Sequence, residues 1–368
     1  MDGLDIVFTG DLVLDVPDAD HWLSGIAQAT RAATLTIGHL EVPHTRGLSV
    51  LQADVPAPGA DPDNLDALQR AGFDAVTLAG NHIADCGAQG IQDTRERLNA
   101  LGIKCCGAGL DLATARAPAV LEAPHLRVAL LSYNCVGPAE GWATDERAGC
   151  AYVRVDPADG SRIAPSAALI APDARSLERM GEDIRTARER SDLVVVALHK
   201  GIVHTRARLA PYEREIAQAA VDAGAAIVIG HHAHILRGIE FYRGRPIFHG
   251  LGNCCVVTHA LAPDQSDPRR AAWAKRRREL FGFEPDPAYP LAPFHPEAIH
   301  ALLARVVCGR DGQMQTGFIP VFVEPPGRPV LAGDEFSQHV MDYVGQIGAE
   351  AGLPPLSMHL RADMVLVS

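Results

Sequence analysis

The sequence predicts a layered α/β fold with one polar site at the edges of its sheets. Three observations support this. Strand-like and helix-like segments alternate through the first 255 residues, which is the pattern of stacked sheet and helix layers. Four apolar runs end at chemistry-bearing residues: 6–9 before Gly10-Asp11, 75–79 before Gly80-Asn81-His82, 193–198 before His199, and 226–229 before Gly230-His231-His232-Ala233-His234. Ligands collect at the carboxyl edges of such strands, so Asp, Asn-His, His and His-x-His on one edge make a metal-sized site and point to an enzyme.

The elements follow in order. Residues 6–9 read as a strand, 22–33 as a helix, and 33–40 as a strand ending near Glu41. Asp61-Pro62 introduces a helix over 63–71, because proline suits a first helical turn. A strand at 74–79 precedes a helix at 88–101, whose Ile91, Leu98 and Leu101 are apolar and which Gly102 closes. A short strand at 103–106 is followed by a hairpin of 119–122 with 127–133 and a helix over 176–189. The helix at 211–223 begins at Pro211 and stops at Gly224. Residues 239–242 and 246–248 form a second hairpin. From about 258 to 298 the pattern changes. Residues 260–298 hold seven prolines and the basic run Arg269, Arg270, Lys275, Arg276, Arg277 and Arg278, read as an extended surface excursion with a solvated basic face. Paired strands at 301–307 and 317–323 and a helix at 336–352 complete one domain spanning residues 1–368.

Bulk composition narrows the function. Apolar residues make up 47% and charged residues 21% of the 368, an ordinary globular balance. The net charge of −12 repels phosphate backbones, so no nucleic-acid partner is expected. No run of about 18 apolar residues exists to cross a membrane. The opening Met1-Asp2-Gly3-Leu4-Asp5 lacks the basic and apolar regions of a signal peptide, so a cytoplasmic location is expected. The eight cysteines contain no CxxC. They include the neighbours Cys105-Cys106 and Cys254-Cys255, which point to opposite faces of a strand, and all eight are expected to be reduced.

Each candidate residue has a structural reading beside its chemical one. Asp11 is either a strand-end turn residue or a ligand. Asn81 offers a hard cation a neutral oxygen, and Asp85, three residues after His82, can orient that ring for proton transfer. His199 alone reads as a core histidine. Three adjacent imidazoles at 231, 232 and 234 are harder to bury without a partner, and a metal is the simplest one. Strand alternation would aim His232 and His234 one way and His231 the other. Glu41 supplies a second carboxylate. Lys200, Arg206 and Arg208 follow the 193–199 strand and could hold a substrate carboxylate, or lie as solvated surface residues. His295, in the rigid Pro293-Phe294-His295-Pro296 stretch, is a loop histidine or a second proton-transfer group opposite His82.

Taken together, Thr9-Gly10-Asp11, His39-Leu40-Glu41, Gly80-Asn81-His82 with Asp85 and Gly87, His199-Lys200-Gly201, Gly230-His231-His232-Ala233-His234 and Gly250-Leu251-Gly252-Asn253 resemble the bacterial capsule-synthesis CapA family. That family is a branch of the calcineurin-like metallophosphatase superfamily. The resemblance implies an αββα sandwich of two mixed sheets flanked by helices, with Asp11, Glu41, Asn81, His199, His232 and His234 around a divalent ion. The chain departs from the wider superfamily in lacking its Asp-x-His opening and in carrying Glu41 where a bridging Asp is usual. It also has Lys200 in place of the tryptophan of a His-Trp-Gly motif, and Cys254-Cys255 where an aromatic is usual. These departures favour calcium, manganese or magnesium over a tight di-zinc pair.

Within this group the chain resembles the lasso-peptide epimerases, which invert the Cα of a peptide's C-terminal residue. The resemblance implies two-base chemistry on a peptide substrate, with His82 paired to Asp85 and His295 paired to Asp11. The alternatives are a metallophosphoesterase-type hydrolase, with His82 protonating the leaving group, or a CapA-like protein of polyglutamate or capsule biosynthesis.

Overall fold

A computed structural model describes residues 3–51, 57–123, 125–262, 266–310, 312–361 and 364–368. Two mixed sheets lie face to face with helices on both outer sides, the sandwich that the resemblance implied. In the larger sheet Leu4–Asp15, Leu35–Leu40, Ala75–Thr77 and Lys104–Cys106 run parallel. The antiparallel strands His300–Cys308 and Met314–Glu324 extend it on the other side. In the smaller sheet Leu126–Asn134, Leu193–His199 and Ile227–His231 run parallel, with antiparallel pairs at both edges.

The strand Leu193–His199 is buried throughout, which explains its unbroken apolar run. Val195 joins Ile6, Phe8, Leu130 and Ile229 in the core between the sheets. Val194, Val196 and Leu198 point the other way, onto the helices Ala174–Arg188 and Pro211–Ala223. Asp173 caps the first of these helices by accepting from Ser176 N at 2.8 Å. Gly224 ends the second at φ 120°, a left-handed turn that glycine makes without strain.

Tertiary contacts move several expected boundaries. The first strand does not stop at Thr9. It runs on to Asp15, because Asn253–Thr258 adds a parallel partner beyond a register shift at Asp11/Leu12. The expected helix at 22–33 is two short ones, Ala19–Leu23 and Ala27–Ala32. Gly25 lies in the break, where a Cβ would come 2.3 Å from Pro329 O, so backbone contact takes priority over helix continuity. The expected helix at 63–71 opens as a 3-10 turn, Pro62–Leu65, before Asp66–Arg70. The proline-rich stretch, of which 263–265 lie outside the described residues, is not simply extended: it carries helices Pro268–Lys275 and Arg277–Phe281. All eight cysteines are free thiols. Among the described residues no helix is long and apolar enough to cross a membrane.

Candidate metal centre

Parallel strands of both sheets end at one seam. Asp11 sits level with His39 on one neighbour and with Asn253 on the other, while His199 sits level with His231. The close approach depends on Gly10, where a Cβ would lie 2.0 Å from Gly252 O. That contact lets Asp11 N donate to Gly252 O at 3.1 Å. After Ile227–His231 the chain turns sharply, with His232 at φ 90° and His234 at φ 54°. Such left-handed residues are uncommon outside glycine and occur where surrounding contacts enforce them.

The imidazoles form a layer. His39 stacks on His231 with centroids 4.5 Å apart, and His199 lies 4.8 Å from His39 and 4.7 Å from His232. Thr77 Oγ1 holds His39 Nδ1 at 2.9 Å, and Thr9 O holds His231 Nε2 at 3.2 Å. His199 Nε2 lies 2.7 Å from Asn81 Oδ1 and 3.1 Å from His232 Nδ1. The acids close the ring. Asp11 Oδ2 accepts from His232 N at 3.3 Å and lies 3.6 Å from His234 Nδ1. His234 Nε2 lies 3.2 Å from Glu41 Oε1, and its Nδ1 lies 2.8 Å from Asn253 Oδ1.

Several atoms facing this seam have no hydrogen-bond partner. They are Asp11 Oδ1, Glu41 Oε2, His39 Nε2, His199 Nδ1, His231 Nδ1 and His232 Nε2, all buried. Each such orphan costs about 1–3 kcal/mol, so six in one place call for a common partner. Asp11 with His39 and His199, Glu41 with His199 and His232, and Asp11 with Glu41 and His234 each offer three ligand atoms within 4.8 Å of one another. The residues therefore fit a divalent cation.

Electrostatics suit four of the imidazoles, His39, His199, His231 and His232, to a metal, whereas His234 carries a proton shared with Glu41 that an ion would have to displace. Burial, reinforced by neighbouring imidazoles, holds His39 and His199 well below the usual histidine range. Burial and His234 push His232 down to about 3, and burial pushes His231 down to about 4. Neutral imidazole is the form that binds metal. Burial, and then repulsion from Glu41, pushes Asp11 well above the usual carboxylate range. Burial favours neutral forms of His234 and Glu41 too, but their mutual attraction outweighs it and holds His234 up at about 9 and Glu41 down at about 2.

A cavity of about 600 Å³ opens over the seam, with Glu41, Asn81, His82, His232 and His234 on its wall. His82 Nδ1 lies 2.7 Å from Asp85 Oδ2, which also accepts from Ala57 N at 2.6 Å. Asp85 is fully buried, whereas the His82 side chain retains 21% exposure. This dyad has the form expected of an oriented proton carrier.

The structure does not join other expected residues to the site. His295 was expected to pair with Asp11. Its Nδ1 instead accepts from Glu297 N at 3.1 Å and caps the turn Pro296–Ile299, and its ring meets the edge of Phe283 at 5.1 Å. It is a turn cap and does not line the cavity that His82 faces. Lys200 is not a surface contact for substrate. It is fully buried, and its Nζ donates to Glu213 Oε2 at 3.0 Å and lies 3.1 Å from His249 Nδ1. Arg206 is occupied by Glu297 at 3.0 Å and by Glu350. Arg208 reaches the cavity wall. His231 stacks on His39 with its Nε2 at Thr9 O, while His232 and His234, both at positive φ, meet His199 and Glu41. Two histidines were not anticipated. His39 was legible, lying two residues before Glu41 and so on the same strand face. His204 had no sequence signal; it is buried beside the cavity with its ring 5.7 Å from His234.

A family profile described as bacterial capsule synthesis protein PGA_cap matches residues 5–257. The chain belongs to the PGA_cap family. Among curated relatives, a probable polyglutamine synthesis accessory protein of Mycobacterium tuberculosis is 35% identical over 196 residues, covering 52% of this chain and 47% of that protein. The capsule biosynthesis protein CapA of Bacillus anthracis is 29% identical over 194 residues, covering 53% of this chain and 43% of its own length. The PGA biosynthesis protein CapA of Bacillus subtilis is 28% identical over 262 residues, with 68% and 63% covered. The chain thus spans about half the length of the first curated relatives it matches. Among solved structures, the calcineurin-like phosphoesterase YfkN from Bacillus subtilis gives a TM-score of 0.41 at 12% identity, covering 95% of this chain and 97% of that one. PGA_cap membership supports the capsule and polyglutamate alternative better than the lasso-peptide subgroup.

Proposed function

We propose that this PGA_cap protein is a metal-dependent hydrolase of capsule or polyglutamate metabolism, cleaving a phosphoester or amide bond in a substrate that enters the cavity. One observation carries the reading: buried, unpartnered donor atoms of both sheets converge beneath a cavity that also holds the His82–Asp85 dyad. Asp11, His39, Glu41, Asn81, His199, His232 and His234 would hold the ion. Their imidazole-rich set suits manganese better than calcium or magnesium. A bound divalent ion supplies Lewis acidity toward a phosphoryl or carbonyl oxygen and lowers the pKa of water. Thr77 orients His39 so that Nε2 faces the seam. Asp85 orients the His82 ring through Nδ1, and His82 is the group that would deliver a proton to the leaving group.

A second reading, peptide epimerisation, is favoured by the apolar cavity wall. Trp273, Leu280, Phe281 and Phe294 suit a peptide side chain better than a polyanion. In that reading His82 takes the α-proton, and the opposing group is His204 in place of His295. Manganese-loaded protein incubated with p-nitrophenyl phosphate, poly-γ-glutamate and acidic peptides in heavy water separates the two. Turnover with cleavage, lost in His82→Ala, supports hydrolysis. Cα deuteration without cleavage replaces it with epimerisation.

A further inference from the structure

The basic run at 269–278 reads as a solvated face, but Arg277 turns inward. Arg276 and Arg278 keep 60% and 76% of their side chains exposed, whereas Arg277 is 3% exposed and lies on the cavity wall. Its guanidinium donates to two backbone carbonyls, Pro293 O and, at 3.3 Å, Leu261 O, and stacks 5.0 Å from the centroid of Trp273. Nε is buried and makes no hydrogen bond. Among the described residues no carboxylate pairs with it.

Two other buried cations are paired, Lys200 with Glu213 and Arg305 with Asp5 at 2.9 Å. Arg237, like Arg277, donates to two backbone carbonyls, those of Arg208 and Ile202, but it lies in the field of Glu213 and off the cavity wall. Burial alone acts on Arg277, pushing it down to about 10 with no acid to offset the effect. A buried charge without a counter-charge is expensive and persists where a ligand completes it. A guanidinium is a planar fork matched to carboxylate or phosphate. The same wall reaches the metal centre, since the ring of Phe294, next to Pro293, lies 4.8 Å from that of His234.

We propose that Arg277 anchors an anionic group, carboxylate or phosphate, carried next to an apolar or aromatic group of the substrate. This deepens the reading of the cavity as a substrate chamber and rests on it. The test is calorimetric binding of three probes to the manganese-loaded protein without turnover: N-acetyl-L-phenylalanine, its uncharged amide, and phenyl phosphate. At least one anion should bind tenfold or more tighter than the amide, and the tighter of the two identifies carboxylate or phosphate. Arg277→Gln, checked for native circular dichroism and metal content, should erase the preference, and Arg277→Lys should retain part of it. Arg278→Gln should leave it intact. Equal binding of amide and anions to the wild-type protein overturns the proposal without needing any variant. So does a folded Arg277→Gln that keeps the preference, since the anion is then held elsewhere, for instance by the metal. Failure here leaves hydrolysis untouched, and a protein that selects anions but does not cleave overturns the hydrolase reading alone.

Discussion

Replacing Lys200 by methionine tests how the metal-bearing strand is anchored. Lys200 follows His199 directly, and both it and Glu213 have fully buried side chains 3.0 Å apart. Lys200→Met leaves the Glu213 carboxylate without its main counter-charge. Breaking one side of a buried pair costs about 3–5 kcal/mol. Two contacts place this case at the lower end: Glu213 Oε1 still accepts from Ala210 N at 2.7 Å, and Arg237 still contributes positive charge. The expected loss is therefore about 3 kcal/mol for Lys200→Met, and about 1–2 kcal/mol for Lys200→Met with Glu213→Gln, which buries no unbalanced charge. Urea unfolding at fixed manganese concentration, for both single variants and the double, gives the coupling directly. Single losses below about 1 kcal/mol that simply add in the double variant would refute the claim that this pair is held by mutual compensation.

Metal and proton chemistry give further tests. Chelation by EDTA should lower Tm, and manganese at 100 times its Kd should restore about 2.7 kcal/mol, read by thermal scans at several metal concentrations. His82→Ala should cut turnover about 100- to 10,000-fold with metal content unchanged, because His82 belongs to none of the three ligand clusters. Burial alone would raise the Glu240 carboxyl, but hydrogen bonds from His249 and Arg214 push it down to about 2 from an ordinary 4.5. Its contribution, about 3 kcal/mol, is fully present above pH 4.5 and lost as pH falls through about 2, so Glu240→Gln should lower stability at pH 7 and flatten the acid limb of a pH–stability curve. Gly10→Ala, whose Cβ would meet Gly252 O at 2.0 Å, should reduce both stability and bound manganese, the latter measured by elemental analysis.

The sheets were legible wherever burial on both faces produced an unbroken apolar run, as in Leu193–His199, and wherever turn residues bounded a hairpin, as in Ile239–Tyr242 with Arg245–Phe248. Asp11, Glu41, Asn81, His199, His232 and His234 could be named because each follows such a run or a recognisable motif. What could not be read depended on contacts distant in sequence. Gly25 interrupts a helix because of Pro329, more than 300 residues away. Lys200 looked like a solvated cation because its partner, Glu213, lies on the next helix. His295 looked catalytic because its hydrogen-bond partner, the backbone of Glu297, carries no sequence signature. Arg277 looked like its exposed neighbours, since the fold of its own short helix decides which of them turns inward.

The proposed metal donors belong to both halves of the sandwich, Asp11 and His39 to one sheet, His199 to the other, and His232 just past the end of the neighbouring strand Ile227–His231. An ion gripped by both would rivet the two slabs together at one end of their shared interior. Neither half could then assemble its share of the chemistry alone.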